Sequence, residues 1–321
     1  MTRFILLALC GTALVAGQAA AQSYPTRAIR IIVASAPGGG PDLAARLVGQ
    51  KLSEALGQPV IVDNRAGAGG IIGAETAARS PNDGYTLFLG NPATLTINPS
   101  LQPRLPYDAA RDFVPVTLIN STPFMLVIHP SLPASSVKQL VALARANPGK
   151  LNFASAGSGS VTHLAGELFK SIARVDIVHV PYKASAAATG DVISGQVEMV
   201  INAMTTVLPH VTSGKLKALA VATESRTTAL PELPTLIEGG VPGYVVTTWN
   251  GLLVPAGTPR EIVTRLNAEA VRAIRLPETQ ERLRGLGSEP VGSSAGEFAA
   301  FLQKETALWA RAAKVSGARP D

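Results

Sequence analysis

Ile29-Arg30-Ile31-Ile32-Val33, followed closely by Ala36-Pro37-Gly38-Gly39-Gly40-Pro41-Asp42, decides the fold. The first stretch reads as a buried strand. The second reads as a tight glycine turn that opens a helix. Pro41 suits the first helical position, because it has no N–H to leave unpaired. Leu43, Leu47, Leu52 and Leu56 then stripe one helix face, and Gly57 stops it. Val60-Ile61-Val62 is the next strand, Gly67-Ala68-Gly69-Gly70 precedes another helix, and Tyr85 to Leu89 follows the Asp83-Gly84 turn as a third strand.

A second such series starts at the strand Phe124 to Ile128. Ser136 and Gln139 are spaced as a capping box for the helix carrying Leu140, Val141 and Ala144. Leu151 to Ala154 is a strand, and a helix runs from about Thr162 to Ile172. Ile177 to Val180, Met199 to Ile201, Leu216 to Ala222 and the long Tyr244 to Leu253 are further strands. Thr258-Pro259-Arg260-Glu261 is spaced as another capping box, and helices near Glu278 and Glu297 finish the chain. Alternation of this kind predicts an α/β fold with mostly parallel sheets flanked by helices. No internal repeat or low-complexity linker is visible. Residues 122–245 therefore read as a domain inserted into one made of 22–121 plus 246–321. The chain is expected to cross near Asn120 and return near Val246. Two crossings make a hinge, and a hinge makes a closable cleft.

Composition narrows the function. Of 321 residues, 46% are apolar and 16% charged, too apolar for a disordered chain. Aromatics are 5%, and no dense Lys/Arg run occurs, so a nucleic-acid surface is not expected. The net charge of +6 suits anionic small molecules without requiring them. Met1-Thr2-Arg3, the apolar run Phe4 to Val15 and Ala19-Ala20-Ala21 form a secretory signal peptide over residues 1–21. The lone Cys10 lies within it, and its Leu9 neighbour is wrong for lipidation. After Ala21 there is no cysteine, hence no disulfide framework. No later run is long and apolar enough to span a bilayer. The product reads as periplasmic, where ATP- or NAD-dependent chemistry is not expected.

The motifs are glycine and hydroxyl loops, not acid–base pairs. The Ala36–Asp42 turn lets backbone N–H groups and a helix N-terminus meet an anion. An ordinary strand-to-helix turn fits it equally well. Ala154-Ser155-Ala156-Gly157-Ser158-Gly159-Ser160-Val161-Thr162-His163 has the same layout and adds four hydroxyls. N-capping accounts for at least one of them. Two such loops facing each other would hold a carboxylate without any arginine. Gly67 to Gly73 misses G-x-G-x-x-G by one residue, and no Walker A sequence occurs. Gly292-Ser293-Ser294-Ala295-Gly296 matches G-x-S-x-G, yet Ser294 and Glu297 read better as a helix cap. The four histidines lack metal-ligand spacing. His163 reads equally as a cleft residue or a structural one, and Trp249 reads as hinge packing.

The whole chain after the leader resembles the periplasmic receptors of tripartite tricarboxylate transporters, the Bug or TctC family. The resemblance is carried by Tyr24-Pro25, Ala36 to Gly40 with Asp42, Asn64-Arg65-Ala66-Gly67-Ala68-Gly69-Gly70, and Asp83 to Leu87. Gly159-Ser160, His163-Leu164-Ala165, Glu167 to Lys170, Val180 to Lys183, Gly214 to Val221, Pro234-Thr235, Trp249, Gly251-Leu252 and Pro255 to Pro259 extend it. Ala34-Ser35, Pro41 and Ala184 depart from the residues usual in the family. The resemblance implies a two-domain, type II-like periplasmic-binding fold with the ligand cleft between domains. It implies capture of a small carboxylate by the two glycine loops and delivery to integral-membrane permease subunits.

The expected ligand residues are Ala36, Pro37, Gly38, Gly39, Gly40, Ser155, Ala156, Gly157, Ser158 and Gly159. Asp42, Thr162 and His163 are expected to order the loops or bound water, and Asn202 to read the ligand's far end. The neutrality of Asn202 disfavours an ammonium, which points to a di- or tricarboxylate or an aromatic carboxylate such as nicotinate. No cofactor, metal or catalysis is expected, and monomer is the default. Two other readings stay open: an exported hydrolase using Ser294 or Ser158, and a sensor that presents its liganded form to a membrane kinase.

Overall fold

The computed structural model describes residues 24–318. The signal-peptide reading of 1–21 and the lipidation question at Cys10 lie outside the described residues. β1 (Ile29–Val33) pairs in parallel with β2 (Val60–Asn64) and β3 (Thr86–Gly90), with α1 (Gly40–Leu56) and α2 (Ile71–Ala78) between them. A π-helical turn, Ala93–Ile97, and the one-turn α3 (Asn98–Leu101) lead to the sixteen-residue β4 (Phe113–Ile128). Then come α4 (Val137–Ala146), β5 (Asn152–Ser155), α5 (Val161–Ala173), β6 (Val178–Pro181), α6 (Ser185–Ile193), β7 (Met199–Ala203), α7 (Met204–Thr212) and β8 (Lys217–Val221). β9 (Thr247–Pro255), α8 (Arg260–Arg275), α9 (Pro277–Gly285), the short β10 (Glu289–Pro290) and α10 (Ala295–Ser316) complete the chain.

The strands form two linked sheets with one plan. The first runs β2-β1-β3-β9-β4, and the second runs β6-β5-β7-β4-β8. β4 serves both: it pairs with β9 up to Pro123 and with β7 from Phe124. In each five-strand run one strand is reversed, β9 in the first and the far half of β4 in the second, and the two-residue β10 adds an antiparallel edge beside β4. The reason is geometric. The parallel strands end at the boundary between the sheets, and a strand arriving from the other sheet must start there. Most strands thus run parallel, but the pairing is mixed, four ladders parallel and five antiparallel, because each crossing strand is reversed between its neighbours. The strand ends β1, β2, β3, β5, β6 and β7 all open on this boundary, where ligands of open α/β sheets bind.

Period-two alternation builds a core on both faces of each sheet. Ile29, Ile31 and Val33 pack with Leu52 and Leu266 on one face, while Ile32 packs with Phe88, Trp249 and Phe298 on the other. In the second sheet Leu126 and Ile128 face α5, and Met125 and Val127 face α6 and α7. α10 belongs to both regions: Phe298 fills the first core, and Trp309 and Ala312 fill the second. Between them, buried Glu305 accepts from the indole Nε1 of Trp249 at 2.7 Å and of Trp309 at 3.0 Å on one oxygen.

Three expectations need correction. The capping box at Thr258 does not form. Its hydroxyl donates to the Pro255 carbonyl at 2.7 Å, and α8 starts after Pro259 without a side-chain cap. Ser136 does cap α4, but Gln139 reaches back to Ser135 instead, so that box is displaced by one residue. β4 begins at Phe113, eleven residues earlier than the strand read at Phe124.

Candidate functional site

The turn between β5 and α5 is held from inside by its own side chains. Ala156 N–H donates to Thr162 Oγ1 at 2.8 Å, and Gly157 N–H donates to Ser155 Oγ at 3.1 Å. Gly159 N–H donates to His163 Nδ1 at 3.1 Å, which puts the proton of the neutral imidazole on Nε2. Ser160 caps α5 by accepting from His163 N–H. Gly157 and Gly159 have φ of 112° and 74°, a region glycine enters freely. What remains for a ligand are the N–H groups of Ser158, Val161 and Thr162, which have no acceptor among the described residues. They surround the positive end of a thirteen-residue helix.

Beneath this turn lies a stack of three rings. His163 lies on His179 with centroids 3.9 Å apart, and His179 lies on Phe153 at 5.0 Å. Ser155, fully buried at the end of β5, shares a 2.6 Å hydrogen bond with His179 Nε2. Burial lowers the acidity range of both imidazoles. His179 falls to about 4, helped by its neighbours His163 and Lys170.

The turn between β1 and α1 is braced the same way. Asp42, 1% exposed, accepts from Gly38 N–H at 2.9 Å, Arg46 Nε at 3.0 Å and Asn64 Nδ2 at 2.9 Å. Burial alone would raise its pKa, but these donors outweigh burial and hold the carboxyl below its ordinary range. Asn64 also donates to the Ser35 carbonyl. Ala36 to Gly40 is left exposed above this brace, and Gly39 and Gly40 N–H have no acceptor among the described residues.

Asn202 stands at the end of β7, which runs parallel beside β5. It is 2% exposed, donates to Ser185 Oγ and Thr189 Oγ1, and accepts from Ala203 N–H, so it ties β7 to α6. Ser294 forms the complete capping box of α10 with Glu297. Its hydroxyl donates to a carboxylate, which is no base arrangement for a nucleophile. Trp249 is core packing, not an exposed platform. No cluster of three metal-ligating side chains occurs among the described residues.

Two cavities open between the sheets. One, of about 410 Å³, is bounded by Ala68–Ile71, by residues 93–102 and by Ser158–Val161. The other, of about 520 Å³, lies between one face of α7 along its length and the turn Arg284–Gly287. Sequence reasoning did not place residues 93–102 at the site. The Gly67–Gly70 loop entered it as a helix opening, as a near miss of a nucleotide motif and as part of the family resemblance, but not among the ligand residues. The signal was its glycine density: Gly67, Gly69 and Gly70 all have positive φ, and a Cβ on Gly70 would meet Thr94 at 2.7 Å.

Comparison with known proteins gives these turns and cavities a family context. The family described as tripartite tricarboxylate transporter family receptor matches residues 44–317. The chain belongs to this family. Among curated relatives it is 39% identical to the protein BugT of Bordetella pertussis over 324 residues, covering 99% of each chain. Among solved structures it is similar to an R. palustris protein with adipate, at 38% identity and a TM-score of 0.79, covering 93% of this chain and all of that one. MatC from Rhodopseudomonas palustris, with bound malate, is 32% identical with a TM-score of 0.74, covering 90% of this chain and 99% of that one. The two-domain periplasmic-binding fold of these receptors is thus the fold of this chain. The described residues contain no helix long and apolar enough to cross a membrane.

Proposed function

We propose that this chain is a periplasmic, non-catalytic receptor that captures a small organic carboxylate and delivers it to a tripartite tricarboxylate-type permease. The leader over 1–21 would direct its export and be cleaved. Residues 22–121 plus 246–321 act as one lobe and 122–245 as the other, hinged where β4 and β9 cross. The observation that carries the reading is the braced turn before α5. Its Ala156, Gly157 and Gly159 N–H groups are consumed internally, and Ser158, Val161 and Thr162 are left to face an anion. Gly39 and Gly40 offer the same from the other lobe. A carboxylate there is held by backbone dipoles and bridging water, without a counter-ion. The solved relatives with adipate and malate support a carboxylate ligand.

The test is thermal unfolding of refolded protein against di- and tricarboxylates, acidic amino acids, benzoate and nicotinate. A binder at ~100 times its Kd adds ~2.7 kcal/mol and raises the midpoint. Reversible unfolding with no shift from any carboxylate would refute the reading. Delivery is checked by uptake into vesicles holding the permease, which should require the receptor. The hydrolase alternative predicts ester turnover abolished by Ser294→Ala or Ser158→Ala, and the capped Ser294 argues against it.

A further inference from the structure

This inference rests on the receptor reading above and names its ligand class. We infer that the ligand is a monocarboxylate with an uncharged, largely apolar body, seated in the cavity beside the α5 turn. The cavity adjoins the three free N–H groups through Ser158 and Val161. Its other walls are Ile71, Ile97 and Leu101 with small alanines, and its remaining polar side chains are the neutral Asn98, Gln102, Ser158 and Ser160. No acidic, basic or histidine side chain lines it.

Two of the four neutral groups are already committed. Asn98 Nδ2 donates to the Gly69 carbonyl at 3.1 Å, and Ser160 Oγ caps α5. A second carboxylate in this space would give up part of its water for the Gln102 amide and the Ser158 hydroxyl alone, with no positive charge to balance it. No guanidinium lines the cavity: Arg46 is bound to Asp42 and Asn64, Arg65 is bound to Asp63, Arg284 lies in the other cavity against Gln280, and the exposed Arg104 stands outside the lining. An uncharged body loses nothing there and gains from leaving water. Space is sufficient. An apolar cavity of about 150 Å³ holds benzene, and this one is about 410 Å³. A ring or a six-carbon chain fits with room for water at the polar rim.

The experiment is titration calorimetry of the refolded protein with matched pairs: hexanoate against adipate, and benzoate against terephthalate. Each pair differs by one carboxylate at the far end. The inference expects the monocarboxylate to bind at least tenfold tighter in at least one pair and the dicarboxylate to be favoured in neither. Leu101→Arg supplies the missing charge at the wall and should reverse that preference. Melting of the variant checks that it folds. Tighter binding of adipate or terephthalate to the wild type overturns the inference and leaves the receptor reading intact. A wild-type preference that Leu101→Arg does not move removes the cavity from the assignment and overturns it as well. Binding of no carboxylate at all overturns both.

Discussion

The stacked imidazoles give this protein a pH dependence that its surface charges alone would not. In the folded chain both His163 and His179 are held below the ordinary imidazole range, chiefly by burial. Between about 6.5 and about 4 the unfolded chain therefore binds more protons than the folded one. Stability from His179 is fully present above the unfolded value near 6.5 and is lost as pH falls toward about 4. We expect the melting midpoint to fall through this window and the fall to flatten in His179→Gln. Protonated His163 also loses the Nδ1 lone pair that accepts from Gly159, so the same acidification should loosen the turn and weaken ligand binding. A second prediction concerns Thr162. Thr162→Val keeps shape but strands the Ala156 N–H, at a cost of about 1–3 kcal/mol, and calorimetry should show weaker carboxylate binding.

At the scale of elements, Ser160 caps α5 and Ser294 caps α10. Ser160→Ala should cost about 1 kcal/mol in denaturant unfolding. Gly166 on α5 packs directly against the buried Phe153 ring, so Gly166→Ala overpacks the core and should cost about 1–3 kcal/mol. These elements also show what the sequence made legible. Glycine turns after apolar runs announced both strand-to-helix turns, because punctuation of this kind acts within a few residues. The Ser294 box was equally legible, since its partner is three residues on. Thr258 misled because the Pro255 carbonyl is nearer to its hydroxyl than the helix it precedes. The first half of β4 escaped notice because Pro115, Asn120, Ser121 and Pro123 interrupt its apolar pattern. The inward roles of Asp42 and Asn202 depend on Asn64 and Ser185, 22 and 17 residues away. Residue type and local spacing carry no record of such partners. Nor do they reveal that residues 93–102 form a cavity wall.

The whole molecule repeats one strand order in two sheets, although no repeat is visible in the sequence. Only the path is repeated, and the residues that fill it differ. Ligand binding should draw the two lobes together, so small-angle scattering should give a smaller radius of gyration with a bound carboxylate than without. Gly287 offers a check on closure away from both turns. It has φ of 71° and packs against Thr205 of the other lobe. Gly287→Ala should prop this contact open and reduce affinity while the α5 turn stays intact. The chain's two tryptophans, Trp249 at the return crossing and Trp309 in the second core, share one oxygen of Glu305. Both indoles and the carboxylate belong to the 246–321 segment, but Trp309 packs in the core of the second sheet, so rotation of the lobes that alters this packing should change its emission. Intrinsic fluorescence should then follow opening and closing, readable in a stopped-flow mixer without a dye.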